Sequence, residues 1–128
     1  CDCHFHVFGD ENGQPFSPHR SYTPPPAPLE AFQRVQKTLG LSRGVIVQPS
    51  VYGADNSTTL AALKEAGSAF RGVVVIDADT DTETLWAMHR LGVRGVRVNL
   101  IFKSGVEVSD VAALAEKVAP LGWHLQLL

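Results

Sequence analysis

Arg-Gly-Val occurs three times in this chain, at 43–45, 71–73 and 94–96, and this repeat restricts the fold more than any other feature of the sequence. Each copy begins a short run rich in β-branched residues, which is typical of a buried strand. The intervals between the copies are long enough for one helix and its turns. The repeat therefore predicts a chain in which strands and helices alternate.

Helical periodicity in these intervals supports the alternation. One predicted helix carries Leu85, Met88 and Leu91 on a single stripe and is closed by Gly92. The other intervals show the same spacing of apolar residues. The predicted helices lie at about 29–39, 58–66, 82–91 and 109–119, and the predicted strands at about 2–8, 44–49, 72–77, 94–100 and 123–128.

Strict alternation at this interval is typical of right-handed βαβ units and a parallel sheet. Open doubly wound sheets and closed (β/α)₈ barrels both satisfy it, but the strands carry polar side chains that share a face. These are Asp2, His4 and His6; Gln48 and Ser50; Arg97 and Asn99; and His124 and Gln126. Helices cover both faces of a doubly wound sheet, whereas the mouth of a barrel carries polar side chains. We therefore predict an α/β fold with the N-terminal five strands of a TIM barrel.

Chain length qualifies this fold prediction. A TIM barrel takes about 250 residues, and this chain has 128. We expect residues 1–128 to form one partial barrel domain that lacks about three βα units after Leu128. The alternative is a complete five-stranded flavodoxin-like sheet, although that fold usually ends in a covering helix.

Composition and cysteine usage argue against nucleic-acid and membrane partners and against a disulfide-bonded protein. The net charge is −2, which gives no footprint for nucleic acid or for an anionic membrane surface. No apolar run approaches the roughly 20 residues of a membrane helix. Cys1 and Cys3 occupy neighbouring same-face positions of one strand and would bridge poorly. We expect a cytoplasmic protein without nucleic-acid or membrane partners.

His4 and His6 are the first candidate functional residues. Because side chains alternate along a strand, both imidazoles point to one side together with Asp2, while Phe5 and Val7 point to the other. Imidazoles at this spacing can share one metal ion or one substrate. The alternative is a pair of surface histidines on an edge strand.

The longest connection, residues 9–28, follows the first predicted strand and ends in a proline-rich stretch. Prolines stiffen such a segment, so we expect a semi-rigid flap. It leaves the carboxyl end of the strand, where barrel active sites form. Tyr22 is therefore a candidate substrate contact, or else it packs on the barrel rim.

Four segments together resemble the amidohydrolase superfamily in order and spacing: DCHFHVFG at 2–9, VIVQPS at 45–50, GVRGVRVN at 92–99 and GWHLQ at 122–126. More narrowly, they resemble the branch that contains 2-pyrone-4,6-dicarboxylate lactonase. The resemblance implies a (β/α)₈ hydrolase. It also implies that His4 and His6 match the strand-one histidines, which bind a divalent ion in metal-using members and contact substrate in the lactonase.

The same resemblance assigns the remaining candidate residues. Tyr22, Ser50 and Arg97 match positions that hold the substrate's carboxylates and lactone group. Lys103 falls where the lactonase has a further arginine, so charge is kept but the planar fork is lost. The family's later histidine and its general-base aspartate would follow Leu128.

These expectations give one leading function and two alternatives. The leading hypothesis is a hydrolase that opens a carboxylated lactone such as 2-pyrone-4,6-dicarboxylate, in the breakdown of aromatic compounds. It would need no cofactor, or one Zn²⁺ or Mn²⁺ held by His4 and His6. The alternatives are a metal-dependent amidohydrolase or decarboxylase of the wider superfamily, and an inactive partial barrel that needs a partner chain. The sequence leaves the oligomeric state open.

Overall fold

The computed structural model describes residues 1–9, 13–99 and 111–128. Five parallel strands form one sheet in the order β1-β2-β3-β4-β5: Asp2–Phe5, Gly44–Val47, Phe70–Val74, Val93–Val98 and His124–Leu127. Four helices connect them: α1 (Leu29–Thr38), α2 (Ser57–Ala66), α3 (Thr82–Leu91) and α4 (Val111–Val118). The predicted alternation and the parallel sheet are confirmed. Sequential neighbours pair throughout, as they do in a (β/α)₈ barrel.

The strands are shorter than predicted at their carboxyl ends. The first predicted strand extends to residue 8, but β1 ends at Phe5, and Phe8 instead pairs antiparallel with Ala27 of the long connection. This early exit from the ladder turns the chain across the mouth of the sheet. Because the other strands also end earlier than predicted, the residues that follow them lie in loops at the carboxyl end of the sheet.

The main core lies between the sheet and its helices. Phe5, Ile46 and Val96 face this layer from the strands, and Leu63 and Leu85 meet them from α2 and α3. Fully burying one such side chain contributes about 1.5–3 kcal/mol. Leu91 does not belong to the buried stripe as predicted: it is 39% exposed, since α3 ends there and Gly92 reverses the chain with a φ of 108°.

Two of the three arginines in the Arg-Gly-Val repeat have a structural role. Nη1 of Arg71 donates to the carbonyls of Ser68 and Phe70, at 2.7 Å each, and Nη1 of Arg94 does the same for His89 and Val93. Each arginine thus donates hydrogen bonds to backbone carbonyls at the turn between a helix and the next strand. These two arginines hold the end of the sheet opposite the candidate site.

The glycines of the repeat fill close approaches between layers. A Cβ on Gly44 would lie 2.7 Å from a ring carbon of Phe70, and one on Gly72 would lie 2.9 Å from Leu63. Gly95 instead lies under the ring of His124, and a Cβ on Gly95 would lie 2.6 Å from a carbon of that ring. The pairing register shifts between β3 and β4, so this third glycine faces the concave side of the sheet.

No helix among the described residues is long and apolar enough to cross a membrane.

Candidate active site

His4 and His6 lie together on the concave side of the sheet, as the alternation of β1 predicts. Their rings meet edge to face, with centroids 5.0 Å apart and an angle of 82° between the planes. Phe5 and Val7 point the other way and are buried in the core. The apolar face begins only at Phe5, because Cys3 is exposed with a free thiol.

His6 is fixed by the backbone of the neighbouring strand. Its Nδ1 lies 2.8 Å from the carbonyl oxygen of Val47. A carbonyl only accepts hydrogen bonds, so the proton is on Nδ1 and the lone pair is on Nε2. Burial lowers the pKa of His6, the Val47 carbonyl partly offsets this, and the charges of His4 and Arg97 add to the lowering. His6 is therefore a neutral base near pH 7.

His4 is held from the far side of the sheet. Its Nδ1 lies 3.2 Å from Nε2 of Gln126 on β5. Burial lowers the pKa of His4, the charge of Arg97 lowers it further, and Asp2 opposes both. Asp2 also accepts the backbone N–H of His4 at 3.0 Å. The carboxylate therefore stabilises the strand itself as well as influencing the ring.

Arg97 is the most unusual residue of the concave face. Its side chain is 6% exposed, and neither Nε nor Nη1 has a hydrogen-bond partner in the described part of the chain. Among the described residues, neither donor therefore forms an ion pair with a carboxylate. Burial lowers the pKa of Arg97 and the Tyr22 phenol opposes this. A buried cation with two unmet donors is costly unless an anion binds to it.

Tyr22 lies on the segment 13–28, here called the strap. Backbone contacts fix the strap at both ends: Ser17 N–H donates to Val51 at 2.7 Å, and Ala27 pairs with Phe8. Arg20 donates to Thr23 and to Ser17 within it. Tyr22 is 40% exposed and close enough to Arg97 to influence its charge. The strap is thus attached at both ends, and the stiffness that its prolines imply stays a prediction.

The other predicted residues are less closely connected. Ser50 is half-buried and begins a short 3₁₀ turn (Ser50–Tyr52) after β2, at the same end of the sheet. It makes no hydrogen bond to His4, His6 or Arg97 in the described structure. Lys103 lies outside the described residues. Asn99 is buried on the same face as Arg97.

Gln48 does not share the concave face, contrary to the expectation that grouped it with Ser50. Its amide nitrogen donates to the carbonyls of Gly53 and Asp55, and Thr59 of α2 donates to its oxygen. Gln48 therefore forms hydrogen bonds with the turn after β2 and with α2, on the helix side of the sheet. Val45, Ile46 and Val47 are all apolar, so the sequence of β2 gives no signal for which parity faces inward.

Gln126 is the residue to which the sequence interpretation gave no role. Side-chain alternation along β5 puts Gln126 on the same face as His124, but only the curvature of the sheet in the structure shows that Gln126 reaches His4. His124 is exposed, with its ring over Gly95. A side-chain contact between the first and last strands has no local signal in the sequence.

A metal ion would find an incomplete ligand set here. Among residues 1–9, 13–99 and 111–128, no three histidine, cysteine or acidic side chains group into a metal site. His4 and His6 offer two ligands, and catalytic zinc sites use three from the protein. The described residues do not fit a metal by themselves.

The amidohydrolase family model matches residues 1–128, the whole of the chain. This protein belongs to the amidohydrolase family. The predicted resemblance is thereby confirmed.

Two curated relatives agree with this membership. A 2-pyrone-4,6-dicarboxylate hydrolase of Comamonas testosteroni is 38% identical over 127 residues, covering 97% of this chain and 41% of the relative. A 4-sulfomuconolactone hydrolase of Hydrogenophaga intermedia is 42% identical over 96 residues, covering 75% of this chain and 32% of the relative. This amidohydrolase chain thus spans less than half the length of either.

Solved structures identify the same barrel. A crystal structure of a probable 2-pyrone-4,6-dicarboxylic acid hydrolase from Acinetobacter baumannii, with citric acid bound, superposes with a TM-score of 0.87 at 26% identity. It is matched over 98% of this chain and 48% of its own. A putative 2-pyrone-4,6-dicarboxylic acid hydrolase from Pseudomonas putida gives 0.82 at 38% identity, with 98% and 46% covered. The five strands are part of a TIM barrel.

Proposed function

We propose that the full-length protein containing this chain hydrolyses the lactone ring of a carboxylated small molecule such as 2-pyrone-4,6-dicarboxylate. The unmet donors of buried Arg97, on the same face as two imidazoles, carry the proposal. They provide a site for a carboxylate beside groups that can act on a carbonyl. The names of the two curated relatives, both lactone or pyrone hydrolases, support the same reaction class.

In the proposed mechanism, Arg97 binds one substrate carboxylate through its planar fork and so orients the ring. Tyr22 on the strap closes over that carboxylate, and Lys103 holds a second one. Ser50 donates a hydrogen bond to a substrate oxygen. Fixed placement of this kind removes part of the entropic barrier before any bond changes.

Water then attacks the lactone carbonyl carbon, the carbonyl oxygen becomes negative, and the ring C–O bond breaks to leave a carboxylate and an alcohol or enol. An N–H of His4 polarises that carbonyl and stabilises the oxyanion, while Nε2 of His6, which carries a lone pair, accepts a hydrogen bond from the attacking water. The general base is the family's aspartate, which we place after Leu128. The Acinetobacter relative was crystallised with a polycarboxylate, citric acid, bound, which is compatible with a carboxylated ligand for this family member.

The wider hypothesis of a metal-dependent amidohydrolase or decarboxylase also has one supporting observation. The lone pair on Nε2 of His6 is available to a Zn²⁺ or Mn²⁺ ion if further ligands come from residues outside the described ranges. A bound ion would polarise the carbonyl and activate water. We also propose that the protein is cytoplasmic and has no nucleic-acid or membrane partner.

The test is hydrolysis by purified full-length protein of 2-pyrone-4,6-dicarboxylate, followed by loss of the pyrone absorbance, before and after chelation. We expect turnover that survives removal of metal. Loss of turnover on chelation, with recovery on adding Zn²⁺ or Mn²⁺, would support the metal-dependent reading instead. Absence of lactone hydrolysis across a panel of carboxylated lactones contradicts the proposal.

A further inference from the structure

We propose that Gln126 is a positioning residue that determines which ring nitrogen of His4 carries the proton. The chemical role we infer for His4 rests on the proposed lactone hydrolysis, whereas the placement of the proton does not. Gln126 is absent from the set of residues that the family resemblance assigns to the site.

The contact between these residues spans the concave face. His4 is on β1 and Gln126 is on β5, at opposite ends of the strand order, and 122 positions separate them in the chain. Their side chains nevertheless approach to 3.2 Å, between Nε2 of Gln126 and Nδ1 of His4. Only the curvature of the sheet brings the two strands within reach of each other.

Gln126 is also in register with Arg97 on the neighbouring strand. Its Oε1 is buried and has no hydrogen-bond partner among the described residues. One end of the amide thus contacts His4, and the other is an unmet acceptor on the strand that neighbours Arg97. Buried amides are normally satisfied, and exceptions need an explanation. Contact with His4 explains why the amide is held there.

The direction of this hydrogen bond fixes the chemistry of His4. An amide nitrogen donates, so Nδ1 of His4 accepts and the ring proton lies on Nε2. His6 has the opposite tautomer, since its Nδ1 donates to Val47. The pair therefore offers one N–H donor and one lone pair. That combination suits a carbonyl oxygen on one ring and a hydroxyl or water on the other.

The opposite orientation of the amide would have the opposite consequence. Rotation of the Gln126 amide by 180° would place Oε1 against His4, and Nδ1 would then have to donate. Both histidines would then expose lone pairs at Nε2, the state that metal binding requires. The orientation of the Gln126 amide thus decides whether His4 and His6 together can polarise a carbonyl or can together bind a metal ion. In the observed orientation His4 acts as a neutral hydrogen-bond donor.

Nitrogen NMR of histidine-labelled full-length protein tests this directly, because the shifts of Nδ1 and Nε2 report the tautomer. In the wild type we expect the proton of His4 on Nε2 and that of His6 on Nδ1. In Gln126→Glu the carboxylate can only accept, so the proton of His4 should move to Nδ1 while His6 is unchanged. Gln33→Glu, the same change on the exposed face of α1, should alter neither ring.

Kinetics and metal binding extend the test. Removal of one donor to a developing oxyanion lowers kcat by about 100-fold, and we expect this of Gln126→Glu with KM changed less than about threefold. We also expect tighter Zn²⁺ binding by Gln126→Glu than by the wild type. Gln126→Met, which can neither donate nor accept, should give a mixture of His4 tautomers.

Two results would overturn the proposal. The first is a wild-type protein in which the proton of His4 is on Nδ1. The second is a His4 tautomer that is the same in Gln126→Glu as in Gln126→Met. The NMR result stands whether or not the protein hydrolyses lactones. Failure of the proposed function would appear as missing turnover with the tautomers as stated. Failure of the present inference would appear as the wrong tautomer, with or without turnover.

Discussion

At the scale of single residues, the concave face combines groups that would be unfavourable in an ordinary core. Arg97 is buried with two unmet donors, and burial together with that charge lowers the pKa of the half-buried His6 and of the more exposed His4. A protein that needed only stability would place apolar side chains there. The arrangement is one that binding of a carboxylate would complete.

Replacing Arg97 by methionine should separate stability from binding. Removing a buried, poorly partnered cation is often neutral or stabilising, so we expect the free energy of unfolding of the full-length protein to stay equal or rise by about 1–3 kcal/mol. KM for the lactone should rise about 10- to 100-fold, since hydrogen bonds to charged groups contribute about 1.5–3 kcal/mol. Steady-state kinetics and urea denaturation measure the two effects.

Arg90→Met on the exposed surface of α3 is the matched control and should change neither quantity appreciably. A clear loss of stability in Arg97→Met with KM unchanged would mean that Arg97 holds the fold rather than a ligand.

The lowered pKa values also predict a pH dependence of stability. The unfolded chain takes up protons at His4 and His6 near the ordinary value of 6.5, whereas the folded chain resists protonation until lower pH. Stability from these residues is therefore fully present above pH 6.5 and declines as pH falls through the folded-state pKa values.

Urea denaturation of full-length wild type and His6→Asn, between pH 5 and 8, measures this effect. The stability difference between the two proteins should shift in favour of the variant as the pH falls. A difference that is constant with pH would contradict it. His19→Asn, a change in the exposed strap, is the control.

At the scale of elements, much of the architecture could be predicted because its signals are local. Repeated β-branched runs and helical stripes located all five strands and all four helices. Side-chain parity placed His4 and His6 on one face. Two predictions failed for different reasons. Gln48 follows an apolar strand that carries no parity signal, and Leu91 lies at a helix end, where periodicity no longer implies burial. Contacts between distant strands, such as that of Gln126, have no local signature.

The glycines of the repeat test the packing between elements. Gly44→Ala places a methyl group 2.7 Å from a ring carbon of Phe70 and 2.9 Å from one of Phe5, so the rings must move. We expect a loss of about 1–3 kcal/mol in the free energy of unfolding, typical of overpacking. In the part of the chain that the structure describes, a Cβ on Gly9 would meet only the Tyr52 hydroxyl, at 3.7 Å, so Gly9→Ala should be close to neutral. Equal effects of the two changes would contradict this packing.

At the scale of the whole molecule, the five strands form an open sheet. β1 pairs only with β2, and β5 only with β4, so each has one unpaired edge in the described structure. Unpaired edges and an open concave face promote association. The polypeptide of residues 1–128, expressed alone, should therefore self-associate in analytical ultracentrifugation and show no lactone hydrolysis above buffer. A stable monomer, or measurable turnover, would contradict these expectations.

The central claim is that the imidazoles of β1 and the guanidinium of β4 form a single site for one carboxylated ligand. A crystal structure of the full-length protein with the hydrolysis product of 2-pyrone-4,6-dicarboxylate bound tests it most directly. The account predicts a product carboxylate within hydrogen-bond distance of Nε and Nη1 of Arg97, and another oxygen of the same molecule beside His4. A product bound away from Arg97, with its guanidinium paired to a protein carboxylate, would contradict the account.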